Sequence, residues 1–279
     1  MEVCVDSLES AINAAEGGAA RIELCSSLAM GGTTPTMGLL TCVKKKLPHL
    51  VTHVLIRCRD GDFVYTEDEL EVMTEDMKCL INGGADGIVI GCLNESGYIN
   101  VRQCRKLIKD AKLFAGGRKV NVTFHRAFDM IPPNMISNAM NDLIELGCSR
   151  VLTSGQRKTA FDGSLLISEL ISKYRNRVII MPGGGLNPEN LGLLLNACYI
   201  QQNDAGSNKG CGQHKGGIIK EFHASARTLK ESKMKYRNEL LKMGSDSQEF
   251  STMVTSTKKV REMVDIFTQF TVSQILVKK

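Results

Sequence analysis

Eight short strand-like segments, each followed by a helix-like segment, are the feature that most limits how this chain can fold. The predicted strands cover residues 2–5, 21–25, 51–59, 87–91, 120–125, 150–153, 178–181 and 218–223. The intervals carry helical periodicity and capping signals, such as the capping box Thr66-Glu67-Asp68-Glu69. This alternation, with no break in composition, predicts one α/β domain over residues 1–279, a TIM-type (β/α)8 barrel. A doubly wound open sheet is the structural alternative.

Two stretches stand outside this alternation. Residues 201–217 are rich in Gly, Asn and Gln and are predicted to form a flexible insert between helix 7 and strand 8. Residues 227–256 are long, basic and polar, and are predicted to be a loop before the last helix. Because that loop follows a strand, it lies on the active-site face of a barrel, where it would form a lid or an oligomer contact.

Composition argues against several classes of function. The net charge of +5 is spread along the chain, and no basic tract interleaved with aromatic residues indicates nucleic-acid binding. No apolar run approaches the roughly 18 residues of a membrane span, and the acidic N-terminus is unlike a signal peptide. We therefore expect a cytoplasmic or nuclear protein whose ten cysteines, none in a CxxC pair, are mostly reduced.

The fifth predicted strand ends in polar residues that resemble an active site. Residues 120–125 read Val-Asn-Val-Thr-Phe-His, so apolar and polar side chains alternate between two faces. Arg126 and Asp129 follow directly, at the end of the strand where barrel enzymes place their catalytic groups. His125 is therefore a candidate general acid or base, with Asp129 or Glu23 orienting it.

The same alternation in the other strands turns polar side chains toward the barrel interior. The side chains expected to converge near its C-terminal mouth are those of Glu2, Cys4, Glu23, Cys25, Arg57, Arg59, Thr123, His125, Glu221 and His223. Buried charges are costly unless paired, so a layer of ion pairs without chemistry is the alternative account for Glu2 and Glu221.

Glycines after the seventh strand indicate an anion site. Residues 183–185 are all glycine and precede a helix, and Ser225 and Arg227 follow the eighth strand. These two loops commonly bind phosphate in this fold, although a tight turn alone would explain the glycines. The residues expected to bind the anion are Arg57, Arg59, Arg126, Gly183, Gly184, Gly185, Ser225 and Arg227. With His125 they suggest an enzyme acting on a small anionic or phosphorylated substrate, with no assigned reaction.

Two cysteines indicate a different chemistry. Cys4 and Cys25 fall on the inward face of neighbouring strands, which lie about 4.8 Å apart. Two thiolates at that spacing suit Cu(I), a soft ion that tolerates low coordination. Two small thiols that only fill core space are the alternative.

Seven sequence blocks together resemble the CutC family. They are residues 1–7, 21–26, 31–35, 122–129, 151–155, 181–185 and 221–227, which include Val-Thr-Phe-His-Arg-Ala-Phe-Asp and Met-Pro-Gly-Gly-Gly. The resemblance implies a TIM-type barrel, a homo-oligomer (dimer or tetramer), a cytosolic and in animals also nuclear location, and Cu(I) binding in eukaryotic members. The cysteines associated with copper in that family match Cys4 and Cys25.

The chain departs from the family pattern at a few positions. Ala20 stands where Asp is usual before Arg-Ile-Glu-Leu, and Cys58 stands where proline is usual. Neither change touches Cys4, Cys25 or the block around His125, so we expect the site to be retained. A copper homeostasis protein is the first functional hypothesis, and the barrel enzyme is the second.

Overall fold

Eight parallel strands enclose the centre of the molecule in the computed structural model, which describes residues 1–204, 218–238, 240–241 and 249–276. They are β1 (Glu2–Val5), β2 (Arg21–Leu24), β3 (Val51–Leu55), β4 (Gly87–Ile90), β5 (Asn121–Phe124), β6 (Arg150–Thr153), β7 (Ile179–Pro182) and β8 (His223–Ala224). β1 to β7 pair in chain order, and β8 pairs with β1. A bridge between Gly183 and His223 nearly closes the ring. The predicted TIM-type barrel is confirmed.

The helices follow the strands in the alternation that the sequence predicts. Within the described ranges they are α1 (Leu8–Glu16), α2 (Met37–Lys46), α3 (Glu67–Asn82), α4 (Val101–Phe114), α5 (Ile136–Glu145), α6 (Ser164–Tyr174), α7 (Pro188–Asp204) and α8 (Thr257–Leu276). In this part of the chain, no helix has both the length and the apolar character that crossing a membrane requires.

The capping box at the start of α3 forms as predicted. The Thr66 hydroxyl accepts a hydrogen bond from the Glu69 N–H at 3.2 Å, and the Glu69 carboxylate accepts one from the Thr66 N–H at 2.9 Å. Two N–H groups without helical partners are thereby satisfied, which fixes where the helix begins.

Removing this cap should measurably destabilise the protein. Thr66→Ala deletes the acceptor oxygen, and we expect the free energy of unfolding to fall by about 1 kcal/mol in urea denaturation. Thr66→Ser keeps the oxygen and should behave like the parent chain. Equal stabilities of the alanine and serine variants would show that the box contributes nothing.

Two predicted strands are shorter than expected. The third was predicted to reach Arg59, but β3 ends at Leu55, and the chain then bonds to a neighbouring loop. There the Arg57 N–H donates to the Thr34 hydroxyl at 2.9 Å, and the Thr34 N–H donates to the Arg57 carbonyl at 2.9 Å. The eighth strand was predicted over residues 218–223, but β8 begins only at His223. Its ladder with β1 joins His223 to Glu2 and Ala224 to Val3.

Apolar side chains separate into a large outer core and a small inner cluster. Alternate strand residues such as Val3, Ile22 and Val54 are fully buried in the large outer core, which includes apolar helix residues. Cys25, Leu55 and Val89 form the inner cluster, with Cys4 and Leu28 packed against it. The alternation rule therefore places the two cysteines together on the inner face.

The stretch 227–256 is not simply a loop. Its ends form strands β9 (Arg227–Glu231) and β10 (Ser251–Thr255), which pair antiparallel. β10 lies against α1, where the Thr255 carbonyl accepts from the Asn13 side chain at 2.9 Å. The predicted insert 201–217 begins too early, since residues up to Asp204 belong to α7, and the remainder lies outside the described residues.

Candidate functional site

A cavity of about 340 Å³ opens at the mouth of the barrel. Six of the ten side chains expected to converge at the mouth line it, together with Arg126 and Asp129: they are Cys4, Glu23, Cys25, Arg57, His125 and His223. Leu28, Leu55 and Leu152 supply an apolar wall. This volume lies at the small end of the range for ligand pockets, so the cavity suits a small molecule or an ion.

Arg59 does not enter the barrel, contrary to the prediction. Its guanidinium bonds to the carboxylates of Glu69 and Asp62 and lies over the Tyr65 ring at 5.2 Å. The prediction failed because β3 ends at Leu55, and the period of two that governs a strand does not hold in the following loop. Arg57, closer to the strand, is the arginine that reaches the cavity.

The anion site expected in the loops after β7 and β8 is not assembled around the cavity. Gly183 pairs with β8, and Gly184 (φ +113°) lets Arg126 approach, since a Cβ there would lie 3.3 Å from the guanidinium carbon. The Ser225 carbonyl accepts from Thr255 at 3.3 Å. Arg227 lines a separate cavity beside α1. Gly185 is likewise absent from the lining among the described residues.

Asp129 organises a loop and is not within hydrogen-bonding distance of His125. Its carboxylate accepts from the Ser154 N–H (3.0 Å), the Ser154 hydroxyl (2.9 Å) and the Gln156 N–H (3.2 Å). Arg126 donates to it at 2.8 Å. With its acceptor sites occupied in this way, the carboxylate fixes the loop after β6, and the predicted role of orienting His125 does not fit.

His125 carries a buried hydrogen-bond donor beside the cavity. It caps a 3-10 helix (Arg126–Met130), and its Nδ1 accepts from the Ala127 N–H at 3.1 Å. Burial, reinforced by the charge of Arg57, lowers the pKa of His125 to about 3. A neutral ring that accepts at Nδ1 carries its proton on Nε2. This arrangement favours a donor role over the predicted acid–base role.

Arg57 is a buried cation held by main-chain oxygens. Its guanidinium donates to the carbonyls of Met30, Gly32 and Gly61, the last two at 2.7 Å. The Phe63 ring lies 5.2 Å from the guanidinium carbon and 4.9 Å from the His125 ring centre. One aromatic side chain thus covers both residues.

An ionic network lies beneath the cavity. Glu2 is fully buried, pairs with Arg21, and accepts from His223 Nδ1 at 2.8 Å. Glu221 joins Arg21 (2.6 Å) and Arg150 (3.0 Å). The predicted set did not include three further members of this region, Arg21, Arg150 and the buried His53. Strand alternation could have found Arg21 and His53, which share faces with Glu23 and Leu55.

The pKa values of Glu2, Glu23 and His223 are shifted from their ordinary values. Burial raises the pKa of Glu2, but the hydrogen bond from His223 and the charge of Arg21 outweigh it and lower the pKa. Burial raises the pKa of Glu23 to about 7. Burial would lower the pKa of His223, yet Cys4, Glu2 and Glu23 raise it well above its usual range. The geometry agrees with these directions, since His223 Nδ1 lies 2.8 Å from the Glu2 carboxyl group and its Nε2 lies 3.5 Å from that of Glu23.

The cysteine pair fits a soft ion of low coordination number. Cys4 lies opposite Glu23 in the β1–β2 ladder, and Cys25 directly follows β2 with its N–H donating to the Val5 carbonyl. Both thiols line the cavity. Across the described ranges, the three-ligand group within 4.8 Å is Glu2, Glu23 and His223, without a cysteine. Two-coordinate binding by sulfur is what Cu(I) tolerates, so the residues fit that ion.

These features define a class: a TIM-type barrel with a small, partly apolar pocket at its C-terminal mouth, lined by two thiols, two arginines and two histidines. The CutC family model matches residues 1–209. The chain belongs to the CutC family.

Relatives from distant organisms match nearly the whole chain. Mouse and human proteins, each named copper homeostasis protein cutC homolog, are 43% identical over 265 residues, covering 94% of this chain and 87% of each relative. A CutC protein from Parabacteroides distasonis is 40% identical over 266 residues, covering 95% of this chain and 98% of its own. The Streptococcus agalactiae CutC crystal structure superposes with a TM-score of 0.68 at 27% identity, covering 80% of this chain and 97% of that one. The predicted family is confirmed.

Proposed function

We propose that this protein acts in copper homeostasis by binding Cu(I) through Cys4 and Cys25. The observation that carries the proposal is that both thiols line one cavity at the barrel mouth. The names of the mouse and human relatives support a role in copper homeostasis. Cysteine sulfur is a soft ligand that selects Cu(I) over the harder ions of the cytosol.

The surroundings of the two sulfurs favour a closed site. Cys25 is buried, and its Sγ lies 3.7 Å from the Glu23 carbonyl, whereas the Cys4 Sγ lies 3.9 Å from the Ala224 carbonyl. The apolar side chains of Leu28 and Leu55 pack around them. Such a shell limits access of water and oxidants to a bound Cu(I) ion.

Loss of both thiols should abolish tight Cu(I) binding. In anaerobic titrations against a competing chelator, we expect the Cys4→Ser, Cys25→Ser double variant to bind Cu(I) at least about 100-fold more weakly, since hydroxyls are poor ligands for a soft ion. The matched control is Cys42→Ser, Cys79→Ser, which removes two exposed cysteines. Unchanged affinity in the first variant would refute the assignment.

The same proposal includes location and assembly. We infer a cytosolic, and also nuclear, homo-oligomer, a dimer or a tetramer, in line with the family. The β9–β10 hairpin exposes half of Leu229 and much of Met253, apolar side chains suited to a contact between copies. Sedimentation of the purified protein tests the assembly, and fractionation of cells tests the location.

An enzyme acting on a small anionic or phosphorylated substrate is the second candidate function. The observation that favours it is Arg57, a buried cation whose described hydrogen-bond acceptors are all carbonyl oxygens. A thermal-shift screen of anionic metabolites tests it. A stabilising compound whose effect disappears in Arg57→Gln would support this candidate, and a screen without any stabilising compound would oppose it.

A further inference from the structure

Two buried nitrogen atoms at the cavity have no hydrogen-bond partner in the described part of the chain. They are Nε of Arg57 and Nε2 of His125. Both residues line the same cavity, and the ring of Phe63 contacts both. Buried polar groups are almost always hydrogen-bonded, so two unpaired donors beneath one side chain require an explanation.

The charge of Arg57 is also uncompensated among the described residues. Arg57 is only 6% exposed, and its guanidinium donates to three carbonyls, with no carboxylate of the described residues within salt-bridge distance. By contrast, the neighbouring Arg59 pairs with Asp62 and Glu69. A buried cation without a counter-ion is unfavourable, and an anionic ligand would relieve that cost.

His125 complements this cation with a neutral donor. Because its Nδ1 accepts from Ala127, the remaining ring proton lies on Nε2, the unpaired atom. Burial and the positive charge of Arg57 both lower the pKa of His125, which keeps the ring neutral. A ligand oxygen near both residues would therefore receive one charged and one neutral N–H donor.

We propose that Arg57 and His125 form a subsite for the carboxylate group of a small ligand, uncovered when the Phe63 side chain turns away. This inference rests on the second candidate function and names the chemical class of its substrate. The carboxylate would accept from Arg57 Nε and His125 Nε2, and the rest of the ligand would pack on the apolar wall of Leu55 and Leu152.

The donor set favours a carboxylate over a phosphate. Phosphate sites usually combine several main-chain N–H groups at a glycine-rich loop or helix N-terminus. Here the loop of residues 183–185 and Arg227 lie outside the cavity lining. Two side-chain donors match the two oxygens of one carboxylate, and the 340 Å³ volume accommodates a short acid.

Phe63 is placed to move without unfolding its surroundings. It lies between β3 and α3, directly after residues 60–62, which are exposed, and its own ring is only partly buried. Its carbonyl accepts from the Leu93 N–H at 2.8 Å, which holds the main chain in place. A rotation of the side chain alone would therefore open the subsite.

Titration calorimetry with acetate, pyruvate, isovalerate and inorganic phosphate tests the subsite. We expect a carboxylate to bind the wild type, and Arg57→Gln to weaken that binding by about tenfold or more because a charge-assisted bond is lost. Arg59→Gln is the matched control and should leave binding unchanged. Phe63→Ala should strengthen binding several-fold, because the ring no longer has to leave the donors.

A second measurement uses only the wild-type protein and therefore does not depend on whether Arg57→Gln folds. In ¹H–¹⁵N spectra of the wild type, the Arg57 Nε–H and His125 Nε2–H signals should shift when pyruvate is added. Unshifted signals, unchanged affinity in Arg57→Gln, or tighter binding of phosphate than of every carboxylate would overturn the inference. If phosphorylated compounds bind independently of Arg57 and His125, the subsite fails while an anion-binding enzyme stands. If no anion binds, both fail.

Discussion

Replacing Glu2 with glutamine is expected to lower the free energy of unfolding by about 3–5 kcal/mol, because it breaks a buried ionic network. Glu2 is fully buried, pairs with Arg21, and accepts from His223 Nδ1 at 2.8 Å. Its second oxygen lies 3.7 Å from His53 Nδ1. Glutamine has nearly the same shape, so the variant removes the charge while leaving the packing, and Arg21 and His223 lose part of their compensation. Urea denaturation at pH 7 measures the effect.

The matched control is an exposed carboxylate. Glu75→Gln removes the partner of Lys78, 3.2 Å away on the surface of α3, and should change stability by less than about 1 kcal/mol. The Glu2 effect should also depend on pH. Because the folded-state pKa of Glu2 lies below the ordinary value of 4.5, its contribution is present above that pH and is lost as the pH falls. Equal effects of the two substitutions at pH 7 would contradict the buried network.

The inward face of the barrel could be predicted because it follows from strand geometry alone. Side chains two residues apart in a strand share a face, which correctly brought Cys4, Glu23, Cys25, His125 and His223 together from distant parts of the chain. The same rule failed beyond the end of β3. There the chain direction is set by hydrogen bonds to another loop, which no local pattern reveals.

The sequence predicted which residues form the site better than it predicted the chemical role of each residue. Asp129 follows His125 closely in sequence, yet its partners Ser154 and Gln156 come from the loop after β6. Likewise, the proton position on His125 depends on which ring nitrogen meets the Ala127 N–H. Such contacts arise from tertiary structure, so sequence alone can nominate these residues but cannot assign their roles.

The hairpin of β9 and β10 shows an overlooked local signal. Residues 251–255 read Ser-Thr-Met-Val-Thr, a run rich in β-branched residues that is typical of a strand. The basic, polar character of the whole stretch 227–256 obscured it.

His53 should make the protein sensitive to acid. Both of its ring nitrogens are buried without a hydrogen bond in the described residues, and burial lowers its pKa from 6.5 to about 4, against the opposing charge of Glu2. In the unfolded chain the ring protonates as the pH falls below 6.5, whereas in the folded protein it stays neutral until about pH 4. The contribution of the neutral ring is therefore present above pH 6.5 and is lost as the pH falls toward 4.

Substitution of this histidine isolates the effect. Relative to the wild type, His53→Leu should gain about 3 kcal/mol of stability between pH 7 and pH 4, since a shift from 6.5 to about 4 corresponds to that free energy. The ring packs closely against Gly87, where a Cβ would lie 2.5 Å from it, and leucine replaces it with an apolar side chain that does not titrate. Urea denaturation at pH 7, 5.5 and 4 measures the difference, with the exposed His49→Gln as control. His125 is present in both the wild type and His53→Leu, so its own titration cancels in the comparison. Parallel pH profiles of stability for these two proteins would show that burial does not hold His53 neutral.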